Sequence, residues 1–225
     1  MIKSLGDVSD RYDALFVDLW GCVHNGVKAY SSANDSLKKY RAKGGKVVLV
    51  TNSPRPRSGV EKQLIKFGVD PEAWDLIATS GDSARMAMFQ GVVGNKIYFI
   101  GTPYEENFFE PLNVVKNPVN IDRVPISEAE GIVCTGPFNS LANLDVYSSD
   151  FEFAKKRGLK LLCANPDIIV DRGNIREWCA GALAKMYTDL GGESLYFGKP
   201  FQPIYDLARQ RLSFSGVQIN EDRIL

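Results

Sequence analysis

The 225-residue sequence predicts an α/β fold, in which a doubly wound parallel sheet forms a core and a smaller α/β unit is inserted into it. Short apolar runs alternate with stretches whose apolar residues recur at helical spacing. The runs are rich in valine, isoleucine and leucine, which is typical of parallel strands that are buried on both faces. Glycines follow several of the helical stretches, where they stop a helix. Strands and helices therefore take turns along the chain, as a parallel sheet requires.

The first part of the chain predicts five elements in strict alternation. They are the strand "DALFVDLW" (13–20), the helix "SSANDSLKKYRAKGG" (31–45), the strand "KVVLVTNS" (46–53), the helix "SGVEKQLIKFG" (58–68) and the strand "WDLIATS" (74–80). In the first helix a serine cap precedes Leu37 and Tyr40 on one face, and a glycine pair ends it. We expect residues 1–80 to form the first part of the core.

The middle of the chain predicts a second small α/β unit over residues 81–177, which proline and glycine punctuate heavily. The remaining predicted elements are the helix 81–91, the strand 96–101, the helix 105–112, the strand 131–136, the helix 144–158, the strand 159–167, the helix 179–192, the strand 194–200 and the helix 203–214. We assign residues 178–225 to the second part of the core. Its last residues, "NEDRIL", predict the start of one more strand.

Composition argues against several classes of function. Lysine plus arginine and aspartate plus glutamate number 27 each, so no excess charge marks a surface for nucleic acid or a membrane. The N-terminus has no apolar signal core, and no apolar run is long enough to span a bilayer. Cys22, Cys134, Cys163 and Cys179 form no CxxC pair, and His24 is the one histidine, so the usual zinc-ligand spacing is absent. We interpret the cysteines as reduced thiols of a cytoplasmic protein, three of them within apolar stretches.

Polar residues stand where three of the predicted strands end. Asp18 ends the first strand, Thr51, Asn52 and Ser53 end the second, and Lys199 ends a late one. Because ligands of an open parallel sheet gather beyond the carboxyl ends of its strands, we expect these groups to share one edge. A carboxylate can attack phosphorus or hold a metal, while hydroxyl, backbone N–H and ammonium groups can hold phosphoryl oxygens. The plainer alternative is that Asp18 caps a loop and Lys199 is a solvated lysine.

The same segments resemble the haloacid dehalogenase (HAD) superfamily, and most closely its subclass IIA of nitrophenylphosphatase- and nucleotidase-like hydrolases. "FVDLWGCVHNG" resembles the first motif, which assigns the nucleophile to Asp18. "VLVTNSPR" resembles the second motif, which assigns phosphoryl binding to Thr51, with Asn52 and Ser53 beside it as substrate-binding residues. "YFGKPFQPIYDLA" resembles the third motif, which assigns the stabilising lysine to Lys199. The resemblance implies a Rossmann-like core with an inserted α/β cap of the C2 type.

The resemblance also implies a function. It predicts that Mg²⁺, held by Asp18 and the backbone carbonyl of Trp20, assists the hydrolysis of a small phosphomonoester through an aspartyl phosphate. "CANPD" resembles a stretch near the end of the family's cap, so Asn165 and Asp167 are expected to face the substrate, although Asn-Pro-Asp is also ordinary turn chemistry. The expected partner is a small phosphorylated metabolite, such as a sugar phosphate or a nucleotide. Cap-to-cap dimers among relatives make a homodimer a further expectation.

One departure from the family pattern bears directly on catalysis. In the family's phosphatases the second residue after the nucleophile is an aspartate that serves as acid and base, whereas this chain has Trp20 there. A positioned acid or base contributes roughly 10²- to 10⁴-fold to a rate, so its loss predicts poor turnover of esters with poor leaving groups. His24, in the same loop, either replaces the acid or is a loop histidine that faces solvent. Trp20 itself either packs under the cap or stacks on a substrate ring.

Trp20 also supports a second hypothesis from another functional class. In this hypothesis the chain is a catalytically inactive relative that binds a phosphorylated metabolite or a protein partner on the same platform.

A second departure from the family pattern concerns the fourth motif, an acidic pair that completes the Mg²⁺ site. In the family this motif follows a strand that begins at about "DRIL" (222–225). The sequence ends there, so the motif either lies beyond residue 225, which we expect, or is lacking in this protein.

Overall fold

The computed structural model of the chain describes residues 4–102 and 106–225. Its strands are β1 Ala14–Val17, β2 Lys46–Thr51, β3 Leu76–Thr79, β4 Lys96–Ile100, β5 Asp122–Arg123, β6 Gly131–Cys134, β7 Lys160–Cys163, β8 Ile169–Arg172, β9 Ile175–Trp178 and β10 Glu193–Tyr196. Its α-helices are α1 Ser31–Ala42, α2 Arg57–Phe67, α3 Ser80–Phe89, α4 Ser148–Lys156, α5 Ala180–Asp189 and α6 Gln202–Phe214. The mixed α/β fold with parallel strands confirms the predicted fold class.

The chain divides into two compact units, each built from more than one segment. The first unit comprises Met1–Thr51, Arg57–Ala78 and Ile204–Leu225, and the second comprises Asn52–Pro56 and Thr79–Pro203. The predicted division, with core residues 1–80 and 178–225 around a unit of 81–177, differs from this mainly at its carboxyl side. Residues 178–203 lie in the second unit, because β10 pairs with β7 of that unit's sheet.

The first unit holds a three-stranded sheet in the order β1-β2-β3. β1 and β2 are parallel, with Val17 opposite Leu49. The end of the chain lies along the other edge of β1, where Ile224 forms a parallel bridge with Ala14 and the Leu225 N–H donates to the Ala14 carbonyl at 3.0 Å. The strand start predicted from "NEDRIL" is therefore confirmed.

The core of the first unit lies between this sheet and its helices. Its buried members include side chains of β1, β2, α1 and α2, namely Leu15, Val47, Leu49, Leu37, Tyr40, Val60 and Leu64. The helical spacing in the sequence had predicted these buried faces of α1 and α2 from Leu37, Tyr40, Val60 and Leu64. Packing of this apolar stripe, more than helix propensity, stabilises such short helices.

The second unit is built on a five-stranded sheet in the order β10-β7-β6-β4-β5, and every neighbouring pair in it is parallel. Leu161 of β7 packs in one apolar cluster with Phe151 of α4 and Leu183 of α5. Its neighbour Leu162 packs in another cluster with Met88 of α3. Since successive strand residues point to opposite faces, helices cover both faces of this sheet. The second unit is thus itself a doubly wound α/β layer structure.

Three sequence expectations need correction. The strand that precedes Lys199 belongs to the five-stranded sheet, not to the sheet that carries Asp18, so the prediction of one shared sheet edge is wrong for Lys199. The antiparallel hairpin of β8 and β9 was not predicted. The helix predicted over 105–112 is only a 3₁₀ turn at Glu106–Phe109, and residue 105 lies outside the described residues.

The structure bears on two expectations, one about membrane-spanning helices and one about the cysteines. Across residues 4–102 and 106–225, no helix combines the length and the apolarity needed to cross a bilayer. All four cysteines are free, and three of them are buried, namely Cys134, Cys163 and Cys179. The expectation of core cysteines is therefore confirmed for these three.

Candidate active site

Asp18 and Thr51 lie at the same edge of the first unit's sheet. Asp18 directly follows β1, and Thr51 is the last residue of the parallel neighbour β2. Adjacent strands are about 4.8 Å apart, so the register brings the ends of β1 and β2 side by side. The Asp18 Oδ1 atom accepts a hydrogen bond from the Leu19 N–H at 2.8 Å, which fixes the direction of the carboxylate. Thr51 is buried, at 8% exposure.

The loop after Asp18 holds the Trp20 side chain in a defined place. Gly21 and Gly26 have φ values of 80° and 83°, which favour glycine, and the Gly21 N–H donates to the His24 carbonyl at 2.8 Å. The indole lies directly over Gly26, since a Cβ atom there would be 2.5 Å from Trp20 Cη2. Its edge meets the His24 ring at a centroid distance of 5.5 Å. These contacts support the packing role for Trp20.

His24 is a buried member of this loop. Its exposure is 3%, so the alternative of a solvent-facing histidine is wrong. The Nδ1 atom accepts a hydrogen bond from the Gly26 N–H at 3.0 Å, and the ring packs against Phe67 at 5.0 Å. An accepting Nδ1 places the ring proton on Nε2 in the neutral imidazole. These contacts favour a structural role, and the role of substitute acid stays a prediction.

Burial lowers the pKa of His24, and the nearby Asp18 carboxylate opposes this shift in part. The unfolded chain, with a pKa near 6.5, therefore takes up this proton before the folded protein does as the pH falls. We expect the stability contributed by neutral His24 to be complete above the unfolded pKa and to decline below it.

The measurement is urea unfolding at pH values between about 7.5 and 5.5, where most carboxylates stay ionised. His24→Asn keeps an acceptor for the Gly26 N–H and removes the titrating ring. The wild-type protein is expected to lose more free energy of unfolding over this range than the variant does. If the free energy of unfolding of both proteins fell equally over this pH range, the pH-dependent stability could not be assigned to neutral His24.

In the second unit, the side chain of Asn52 contacts two other predicted site residues. Its Oδ1 atom accepts a hydrogen bond from the Lys199 N–H at 2.6 Å, and its Nδ2 atom donates to the Lys199 carbonyl at 3.2 Å. Nδ2 also donates to Asp167 Oδ1 at 2.8 Å. The structure therefore brings together Asn52, Asp167 and Lys199, which are far apart in sequence.

The other two predicted residues of the second unit shape their own loops. Asn165 is buried, and its Oδ1 atom accepts a hydrogen bond from the Asp167 N–H at 3.0 Å. The Ser53 carbonyl accepts from the Gly81 N–H at 3.0 Å, and the Ser53 Oγ atom accepts from the Arg55 N–H at 3.3 Å. The turn alternative for Asn-Pro-Asp thus agrees with the geometry, and a substrate contact of Asn165 stays a prediction.

Two glycines that sequence reasoning missed hold these loops close to helices. Gly81 and Gly181 are each the second residue of a helix, where glycine has no propensity advantage. A Cβ atom on Gly81 would lie 2.0 Å from the Pro54 carbonyl oxygen, and one on Gly181 would lie 2.1 Å from the Pro166 carbonyl oxygen. The helices α3 and α5 therefore begin in direct contact with the backbone of the 52–56 and 165–167 loops. The sequence signal was a glycine at the start of a helix.

Two buried thiols lie beside the 165–167 loop. The Cys163 Sγ atom donates to the Asn165 carbonyl at 3.2 Å. Burial raises the pKa of Cys163 to about 12, and burial with the nearby Asp167 charge raises the pKa of Cys179 to about 12. Both stay protonated near neutral pH and are poor nucleophiles, since the thiolate is the reactive form.

The donor atoms after β1 are suited to Mg²⁺. Among residues 4–102 and 106–225, no three His, Cys, Asp or Glu side chains cluster so as to hold a metal ion. Mg²⁺ usually keeps several waters and binds one or two protein carboxylates together with substrate phosphate oxygens. The Asp18 carboxylate and the Trp20 carbonyl are hard oxygen donors of this kind and lie two residues apart. A magnesium site is therefore chemically compatible with this loop.

Comparisons with known proteins place the chain in a family. The family model described as haloacid dehalogenase-like hydrolase matches residues 15–114. A hydrolase of the haloacid dehalogenase-like family from Brucella suis 1330 is 40% identical, with a TM-score of 0.90, and the match covers 100% of this chain and 80% of that one. The comparison with curated proteins found no significant match.

Two more distant structures share the fold. A 4-nitrophenylphosphatase from Thermotoga maritima is 18% identical with a TM-score of 0.71, over 96% of this chain and 78% of that one. A glycerol phosphate phosphatase from Mycobacterium tuberculosis, in complex with magnesium, is 20% identical with a TM-score of 0.68, over 94% of this chain and 61% of that one. With the 40% identity to the Brucella hydrolase, these matches confirm the resemblance drawn from the motifs. The chain belongs to the haloacid dehalogenase-like hydrolases.

Proposed function

We propose that this hydrolase is a phosphatase that cleaves a small phosphomonoester through an aspartyl phosphate on Asp18. The observation that carries the proposal is the position of Asp18 directly after β1, beside the end of β2 that bears Thr51. In a chain of this family that edge holds a carboxylate nucleophile next to a hydroxyl group that can bind a phosphoryl oxygen. The activities for which the 4-nitrophenylphosphatase and the glycerol phosphate phosphatase are named support a phosphomonoester as the class of substrate.

The proposed reaction has two displacement steps at phosphorus. A carboxylate oxygen of Asp18 bonds to phosphorus while the bond from phosphorus to the ester oxygen breaks. The electron pair stays on the leaving oxygen, which takes a proton from solvent because Trp20 has no titratable proton. Water then attacks the phosphorus of the aspartyl phosphate and gives a proton to solvent. The bond from phosphorus to the Asp18 oxygen breaks, which releases inorganic phosphate and restores the Asp18 carboxylate.

Other side chains of the chain are proposed to hold the phosphoryl oxygens. Thr51 donates its hydroxyl, and Lys199 supplies an ammonium charge, which matters most when charge builds up in the transition state. The Asp18 carboxylate and the Trp20 carbonyl would hold the proposed Mg²⁺, which when bound would neutralise charge on the phosphoryl group. The magnesium in the Mycobacterium structure supports this choice of metal. Residues 81–177 are proposed to act as the cap that selects the substrate, and a homodimer and a cytoplasmic location stay predictions.

Because residue 20 cannot protonate the leaving oxygen, the rate is expected to depend steeply on the leaving group. 4-Nitrophenolate leaves readily without a proton, whereas an alkoxide does not. We expect kcat/KM for an alkyl phosphate to be lower than for 4-nitrophenyl phosphate by roughly 10²- to 10⁴-fold, the usual contribution of a positioned acid. A series of phosphomonoesters of graded leaving-group pKa tests this, and a flat dependence would show that another group, with His24 the first candidate, supplies the proton.

The proposed function is tested by a screen of phosphomonoesters with and without Mg²⁺, in which wild-type protein is compared with Asp18→Asn. Turnover that requires both Mg²⁺ and Asp18 supports the proposal. Turnover that survives Asp18→Asn would remove Asp18 as the nucleophile. Ligand-induced stabilisation without any turnover would favour the inactive, ligand-binding alternative.

A further inference from the structure

The side chain of Asn52 is bonded to both polar main-chain atoms of one residue. Its Oδ1 atom accepts from the Lys199 N–H at 2.6 Å, and its Nδ2 atom donates to the Lys199 carbonyl at 3.2 Å. From this geometry we infer that Asn52 is a positioning residue, whose amide holds the main chain of Lys199 and thereby sets where the ammonium group can reach. The inference rests on the proposed function only for its catalytic consequence, since the contact itself is independent of any substrate.

The amide of Asn52 has no N–H left for a substrate. A primary amide has two N–H donors, and here one donates to the Lys199 carbonyl and the other to Asp167 Oδ1 at 2.8 Å. The assignment of oxygen and nitrogen in the amide is fixed by Lys199, because a flipped amide would set two donors against each other. The amide therefore serves as a structural link, and a substrate contact of Asn52 stays a prediction.

The segment that Asn52 holds has little freedom to move elsewhere. The Phe201 N–H donates to the Gly198 carbonyl at 2.8 Å, which closes a turn around Lys199. Gly198 is buried, and a Cβ atom there would lie 2.6 Å from Asn52 Oδ1 and 2.5 Å from Pro166 Cδ. The turn thus fits against Asn52 and the 165–167 loop with no room for a side chain at residue 198.

The hydrogen bond from Asn52 to Asp167 is more exposed to solvent than the two hydrogen bonds between Asn52 and Lys199. Asp167 is exposed, whereas Asn52 and Lys199 are half-buried. A hydrogen bond at an exposed carboxylate competes with water and contributes less than one in a shielded place. Asn52→Asp would retain the acceptor for the Lys199 N–H, but it would lose both donors and set a second negative charge beside Asp167. The variant therefore separates the acceptor function of the amide from its donor functions.

The kinetic test is a double-mutant cycle with Asn52→Ala and Lys199→Ala, in the presence of Mg²⁺ and the best substrate of the screen. If Asn52 acts through Lys199, Asn52→Ala lowers kcat by about 10- to 100-fold in the wild-type background, as misplacement of a reacting group by about 1 Å does. The same substitution then has an effect of less than about threefold once Lys199 is alanine, because nothing remains to be positioned. Additive effects of the two substitutions would overturn the inference.

A matched control comes from the same unit. Asn143 also forms side-chain bonds in a loop, with Oδ1 accepting from the Asp145 N–H at 3.0 Å and Nδ2 donating to Asp145 Oδ2 at 2.9 Å. Asn143→Ala removes bonds of the same kind at an exposed site and is expected to leave kcat unchanged. Melting temperatures of all variants show whether a loss of kcat is merely a loss of fold, and Asn52→Asp is used in the cycle if Asn52→Ala does not fold.

A readout that needs no substrate separates this inference from the proposed function. Hydrogen exchange followed residue by residue by NMR reports the Lys199 N–H separately from that of its neighbour Gly198. In Asn52→Ala the Lys199 amide is expected to exchange at least about tenfold faster, because its acceptor is gone. Equal exchange in wild type and variant would overturn the inference even if turnover is found. If wild type turns over no phosphomonoester, the proposed function fails, and the exchange result alone decides whether Asn52 holds Lys199.

Discussion

Asp18→Asn is expected to lower kcat for any phosphomonoester on the order of 10³-fold or more, in line with the removal of a catalytic nucleophile. An amide oxygen carries no formal charge and is a far weaker nucleophile toward phosphorus than a carboxylate. The two side chains have the same shape, and Oδ1 of asparagine can still accept from the Leu19 N–H, as Asp18 does at 2.8 Å. The fold and the rest of the site should therefore persist while the chemistry is lost.

Steady-state kinetics measures the loss of kcat. Mass spectrometry of acid-quenched protein measures the aspartyl phosphate intermediate. Wild type mixed with substrate is expected to carry a phosphoryl group that Asp18→Asn lacks. Asp35→Asn, at an exposed position of α1, makes the same chemical change away from the β1 edge and should leave both results unchanged. A phosphoryl adduct that persists in Asp18→Asn would locate the nucleophile elsewhere.

Gly81→Ala is expected to destabilise the second unit strongly. The added Cβ atom would lie 2.0 Å from the Pro54 carbonyl oxygen and 2.7 Å from the Arg55 carbonyl oxygen. Both are backbone atoms, so no side-chain rotation can relieve the contact, and either α3 or the 52–56 loop must move. We expect a loss of about 3 kcal/mol in the free energy of unfolding, at the upper end of the usual cost of overpacking.

Thermal unfolding checks this expectation, since a loss of that size lowers the Tm of a protein of this length by about 6–12 °C. Gly136→Ala is the matched control in the same unit, because a Cβ atom there would have nothing within 4 Å and no positive φ is involved. The control should change the Tm little. A Tm for Gly81→Ala close to that of Gly136→Ala would show that the loop has room to shift at little cost.

Local patterns in the sequence predicted most helices and strands well, because each of these elements is determined largely by residues that are neighbours in sequence. The apolar stripe of Leu37 and Tyr40 in α1 and the unbroken apolar run of β2 depend on neighbours within a few residues. The hairpin of β8 and β9 was missed because its charged residues pair across the strands. Arg176 Nε lies 2.8 Å from Asp171 Oδ1, a cross-strand pair that in sequence resembles a solvated turn.

The candidate site was predicted in its residue types and only partly in its arrangement. Asp18 and Thr51 follow from the order of two adjacent parallel strands, which the alternation of elements indicates. The sheet to which β10 belongs is set by its register with β7, and no local signal encodes it. The contact of Asn52 with Lys199 joins residues 147 positions apart, so only the folded chain reveals it. The burial of His24 likewise depends on Phe67, which lies in α2, far from the His24 loop in sequence.

The segment Asn52–Pro56 belongs to the second unit, although β2 before it and α2 after it belong to the first. A chimaera that exchanged only Thr79–Pro203 with a relative would therefore transplant an incomplete module. Lys199 and Asp167 would arrive in the recipient without their own asparagine, and α3 would meet a foreign loop at Gly81. Substrate preference should move between relatives intact only when the five residues after β2 travel with the insert.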